Sequence, residues 1–298
     1  MSQLDIHHEL PTDRTTMICA FAGWTNAGES ATRAVRYMTR RLASKHVATI
    51  DAEEFFDFTQ VRPMVKATED GKRAIFWPNN DFHIDEEGMD ERLLLFYGTE
   101  PSLKWRAFIS LLLDTAESTG IKQIVTLGAS LAATPHSRPQ IVSGTSNTPE
   151  WDDLLADQGI LRRNPATYQG PTGISTAIRE AATDRGIKYV SLMGRVPHYL
   201  QAPFNPPVTQ ALLTNLCQLL GIEIDLSRLE KRADDFREQA DKLVREQDDM
   251  SQYVAQLEKE YDASNVDLVD SSSIETTDPN ALVQELEDFL RGEREEGR

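Results

Sequence analysis

The stretch Met17–Thr39 leaves few options for the fold. Met17-Ile18-Cys19-Ala20-Phe21-Ala22 is a short apolar run that predicts a buried strand. Gly23-Trp24-Thr25-Asn26-Ala27-Gly28-Glu29-Ser30 follows, with two glycines and an asparagine to permit a tight turn. Ala31, Ala34, Val35 and Met38 then recur at helical spacing and mark one apolar face. Strand, glycine turn and helix make the opening unit of an α/β sheet. In such sheets ligands bind in the crevice beyond the strand ends.

The rest of the chain to about residue 225 repeats that alternation. Arg92 to Tyr97 and Ile121 to Leu127 read as buried strands, and Lys188 to Met193 as another. Helical patterns run from Trp105 to Gly120, from Ile174 to Gly186 and from Val208 to Leu220, with a shorter one opening after a Thr148 cap. Asp70-Gly71 between two strand-like runs predicts a hairpin. Residues 1–16 read as a frayed or edge element, and Asn79 to Met89 as an acidic loop. The expected architecture is a three-layer α/β/α sandwich around a mixed, mostly parallel sheet. It occupies residues 1–225, with a helical extension over 226–298.

That extension has its own pattern. Leu229, Ala233, Phe236, Ala240, Leu243, Gln247, Met250, Val254, Leu257 and Tyr261 alternate in steps of four and three. The spacing predicts one coiled-coil-like helix over 227–262, and a short helix over 280–291 could fold back on it. Of the net charge of −17, −13 lies from Ile222 onward, where 23 acids face 10 bases. The simplest reading is a solvated helical surface, although a basic protein partner would also suit it.

No basic stripe is present, so nucleic acid is not an expected partner. No apolar run is long enough to span a membrane, and no secretory signal is read at the start, which predicts a cytoplasmic protein. Two cysteines make neither a disulfide framework nor a zinc knuckle. No metal or cofactor motif occurs: G-x-G-x-x-G, G-x-x-x-x-G-K-[ST], H-E-x-x-H and G-x-S-x-G are all missing.

The polar and glycine motifs each follow a strand. Parallel strands would carry them to one rim, where Gly23, Trp24, Asn26, Gly28, Glu29, Glu100, His136, Arg138, Gly173 and His198 are the candidate pocket residues. Free amides near Gly28 or Gly173 could hold an anion. His136 with Arg138 suits a carboxylate or phosphate, and His198 suits proton transfer at neutral pH. Glu29 and Glu100 could pair as carboxylates. Each also has a plain structural reading, as turn, cap or hydrogen-bonded support.

Taken in order, Phe21-Ala22-Gly23-Trp24-Thr25-Asn26-Ala27-Gly28-Glu29, Gly98-Thr99-Glu100-Pro101, Thr134-Pro135-His136-Ser137-Arg138-Pro139, Gly170-Pro171-Thr172-Gly173 and Val196-Pro197-His198-Tyr199 resemble the proteasome assembly chaperone family in its bacterial, actinobacterial branch. The likeness covers about residues 15–221. It implies a phosphorylase-like α/β/α sandwich and homo-oligomers, a trimer among the options. It also implies a non-enzymatic chaperone or protein-binding role, with proteasome-related partners. The hydrophobic-tyrosine tail that such chaperones often dock into proteasome rings is not found in the closing Glu296-Gly297-Arg298. The alternative is an enzyme or small-molecule binder that uses the rim pocket for an anionic compound.

Overall fold

The computed structural model describes residues 3–68, 71–85, 90, 92–162, 169–200 and 202–264. In chain order the strands are β1 (Leu4–Ile6), β2 (Thr16–Ala22), β3 (Lys45–Ile50), β4 (Met64–Ala67), β5 (Arg73–Phe76), β6 (Asn80–Ile84), β7 (Leu93–Thr99), β8 (Gln123–Ala132), β9 (Val142–Ser146), β10 (Leu161–Arg162) and β11 (Lys188–Pro197). The helices are α1 (Ser30–Arg41), α2 (Trp105–Ser118), α3 (Pro149–Asp157), α4 (Ile174–Asp184), α5 (Pro206–Leu220), α6 (Ser227–Arg245) and α7 (Asp248–Ser264).

Nine strands form one sheet in the order β1-β3-β6-β7-β2-β8-β11-β9-β10. The four central strands β7, β2, β8 and β11 are mutually parallel, with Ile18 opposite Leu95 on one side and Val125 on the other. Antiparallel pairs flank this centre, so the sheet is mixed with a parallel heart.

Alternation along β2 builds two cores. Ile18 and Ala20 join Ala31, Val35 and Met38 of α1 and Leu212 and Leu216 of α5. Met17, Cys19 and Phe21 join Phe108 and Leu112 of α2 and Ile178 of α4. A strand buried on both faces reads as a near-continuous apolar run, and β2 does from Met17 to Ala22. Burying so much apolar surface, at roughly 25 cal/mol per Å² removed from water, makes this the stable part of the molecule.

Local signals set several boundaries. Thr148 Oγ1 accepts from Trp151 N at 3.4 Å and caps α3. Gly221, at φ +62°, closes α5, its amide donating to Cys217 O. The hairpin forms as expected, with β4 and β5 paired only to each other, although Asp70 itself lies outside the described residues.

Two expectations are corrected. The acidic loop foreseen from Asn79 begins with a strand: β6 sits between β3 and β7, and its polar Asn80 and His83 are buried by pairing on both sides. The continuous helix over 227–262 is two helices. It breaks at Glu246-Gln247, where Gln247 stood at a seam position, and Ser251 Oγ donates to Val244 O across the elbow. The short helix expected over 280–291 lies outside the described residues.

Candidate functional site

Because β7, β2, β8 and β11 run the same way, Thr99, Ala22, Ala132 and Pro197 end on one rim. The ten candidate residues stand at or near that rim. Among the described residues no hydrogen bond or ion pair joins those ten across two groups, one at the β2–β7 end and one at the β8–β11 end.

The first group is organised by Glu100. Its Oε2 accepts from Trp24 N at 3.2 Å and its Oε1 from Ile174 N at 2.7 Å. The carboxylate thus sits on the first turn of α4, beside Gly173, where a bound anion was expected. The chain supplies its own anion there. Gly23, at φ +150°, admits it: a Cβ at that position would lie 2.5 Å from Glu100 Oε2. Trp24 is left 59% exposed at the mouth of this turn.

The turn then locks onto its neighbours. Asn26 Oδ1 accepts from Ala31 N and Thr32 N, both at 3.1 Å, and so takes the amides that start α1. Ala129 N donates to Thr25 O at 2.8 Å, which ties the turn to β8. Gly28 (φ +56°) and Glu29 (φ +48°) both adopt left-handed backbone. Asn205, which caps α5, donates its amide to Gly28 O at 3.0 Å. Glu29 pairs with Arg33 rather than with Glu100.

The second group lies under α6 and α7. His136, 3% exposed, contacts Tyr199 Oη through Nδ1 at 2.7 Å and Asp241 Oδ1 of α6 through Nε2 at 3.2 Å. His198 Nδ1 lies 3.0 Å from Ala132 O, and its Nε2 lies 3.2 Å from Tyr253 Oη of α7. Arg138 reaches Asp262 with Nε and Nη2, at 2.8 and 2.7 Å, and Glu258 with Nη1 at 3.3 Å. Ser137 Oγ donates to Glu258, and Tyr261 Oη to Pro139 O.

Burial holds the His136 imidazole below its ordinary range, against the pull of Asp241 and Glu258. Burial also pushes the Tyr199 hydroxyl up. The Arg138 fork keeps the Asp262 carboxyl below its usual value. The His136 imidazole, kept neutral by burial and held between Tyr199 and Asp241, is a structural joint here. Among the described residues no group of three or more His, Cys, Asp or Glu is placed to hold a metal ion. Among them too, no helix is long and apolar enough to cross a membrane.

Tyr253, Asp241, Glu258, Asp262 and Asn205 matter here and were not foreseen. The acidic ones read as solvated helix surface in the sequence. The hint lay in His136 and Arg138, an imidazole and a guanidinium in a loop with no acidic neighbour of its own.

Comparison with known proteins places this arrangement. The family model described as "PAC2 family" matches residues 20–244, and the chain belongs to that family. The match runs through α5 into α6, beyond the boundary expected near residue 225. A crystal structure of a PAC2 family protein from Streptomyces avermitilis is 36% identical, with a TM-score of 0.70 over 80% of this chain and 99% of that one. A proteasome-assembly chaperone homologue from Mycobacterium tuberculosis is 30% identical, with a TM-score of 0.71 over 80% of this chain and all of that one (100%). An archaeal proteasome activator from Pyrococcus furiosus shares the fold at 17% identity, with a TM-score of 0.65 over 80% and 97% of the two chains. An uncharacterized protein of Methanocaldococcus jannaschii is 30% identical over 109 residues, which spans 37% of this chain and 40% of that relative.

Proposed function

We propose that this protein is a non-enzymatic, chaperone-like binding protein of the cytoplasm, working as a homo-oligomer on proteasome-related or other protein partners. One observation carries the reading. The polar side chains that could have formed a catalytic pocket are engaged by the chain itself: Glu100 on two backbone amides, Asn26 on two more, Arg138 on two carboxylates, and both histidines on tyrosines. That engagement supports a structural role for these side chains. The 30% identical proteasome-assembly chaperone homologue supports the same reading.

Pull-down of the tagged protein from a native lysate of its source organism tests this. Recovery of proteasome subunits is expected, and recovery of the bait alone would remove that partner assignment. The enzyme or small-molecule alternative requires α6 to withdraw from His136 and α7 from Arg138 and His198. A metabolite that stabilises the protein thermally, and fails to stabilise Arg138→Ala, would favour it.

A further inference from the structure

The β4–β5 hairpin is the least explained part of the surface. Met64, Val65 and Ile75 are each 58% exposed, Trp77 52% and Phe76 46%. Scattered exposed apolar residues are ordinary, but four in one ribbon, with Trp77 directly after it, are a patch. Successive strand residues face opposite ways, so Met64 with Phe76 lies on one face and Val65 with Ile75 on the other. A ribbon apolar on both faces needs a slot rather than a flat surface. A lone two-stranded hairpin is also barely stable in water without cover.

The same chain carries a slot. A cavity of about 300 Å³ opens at the α6–α7 elbow, lined by Tyr199, Leu200, Phe236, Leu243, Val244 and Met250. Leu243 is 56% exposed at its edge. The charges are opposite as well. Residues 62–73 hold four bases and two acids, and residues 241–250 two bases and four acids, so the two stretches carry opposite net charge. The two features do not cover each other within one molecule, where Ile75 and Leu243 both stay exposed. The hairpin follows β3 and the slot adjoins the loop after β11; four strands separate those two, roughly 24 Å at ~4.8 Å per strand.

We propose that the β4–β5 hairpin of one copy seats in the α6–α7 elbow of the next. This rests on the homo-oligomer reading above and gives it a surface. The contact joins two different patches, so it is head-to-tail and can close into a ring. Opposed charges orient it, while the acidic remainder of the two copies repels other approaches.

Light scattering on three forms of the full chain tests it: wild type, Ile75→Asp and Leu243→Asp. Both substituted side chains are exposed, so the fold should survive, as circular dichroism can check. Wild type should be an oligomer and each variant a monomer. An equal mixture of the two variants should give a dimer and nothing larger, because one intact hairpin then meets one intact elbow. A mixture that stays monomeric, or a Leu243→Asp variant that keeps the wild-type mass, overturns the contact and leaves the homo-oligomer reading standing. A monomeric wild type overturns both. Phe289→Asp should leave the mass unchanged. Increased association of that variant would show the chain's own C-terminal segment occupying the elbow, and would overturn the proposal.

Discussion

The two ends of the rim are closed by different means. At the β2–β7 end, closure is local and intrinsic to the sheet: Glu100 follows β7 directly, and Gly23 follows β2. The carboxylate lies against backbone, with no side chain between, and could not fit if position 23 carried a Cβ. At the β8–β11 end, closure comes from more than 100 residues along the chain, through side chains on α6 and α7. Several of those contacts are half exposed, among them the Arg138 ion pairs. Exposed pairs contribute little and weaken in salt. One end is therefore part of the fold, and the other is a clasp laid over it.

The sharpest way to break this comparison is Gly23→Ala. It combines a left-handed φ with an approach too close for a methyl group. A loss of about 3 kcal/mol in global stability is expected from strain and overpacking together. Chemical denaturation measures it. A loss below a few tenths would mean that the Glu100 turn is not integral to the fold.

How much of this could be read from the chain divides along the same line. The opening unit, the helices and the Thr148 cap were legible because apolar period, glycine and cap residues act locally. The shared rim was legible because parallel strands impose it. β6 was not, since its buried Asn80 and His83 carry no apolar alternation and are buried by neighbours distant in sequence. The clasp was not legible either. Nothing local distinguishes Asp241, Glu258 or Asp262 from the carboxylates around them; only the arrival of Arg138 and His136 does. Even the elbow was hidden, because the four-three spacing continues through Gln247 while the backbone does not.

Tyr253→Ala should act on the clasp alone. Tyr253 is 5% exposed and packs edge-on against both His198 and Tyr199. Truncation should weaken α7 docking by about 2 kcal/mol. Hydrogen exchange should then speed up in α7 while β2 and β8 keep their protection. Equal loss across the sheet would make α7 part of the core after all.

Glu100→Gln is expected to cost less, about 1–2 kcal/mol. Glutamine keeps one acceptor, but its amide then faces a backbone N–H donor at Trp24 or Ile174. The loss should appear as faster exchange at the start of α4, with α7 unaffected. Faster exchange in α7 would show that the two ends are coupled.

The smallest effect expected is a pH response confined to the clasp. Burial holds His136 below its ordinary value near 6.5 in the folded protein, although Asp241 and Glu258 draw it upward. The unfastened form therefore takes up a proton more readily than the closed one. His136 then contributes fully above about pH 6.5, and its contribution fades as pH falls below that value. Exchange in α6, which carries Asp241, and in the α7 docked beside it should accordingly quicken as pH falls below about 6.5, after correction for the intrinsic rate, while the Glu100 end stays unchanged. His136→Gln, which cannot be charged, should flatten the response. A clasp that tightens on acidification would mean that the two carboxylates outweigh burial, and would make this end of the rim an ion-paired closure instead of a neutral joint.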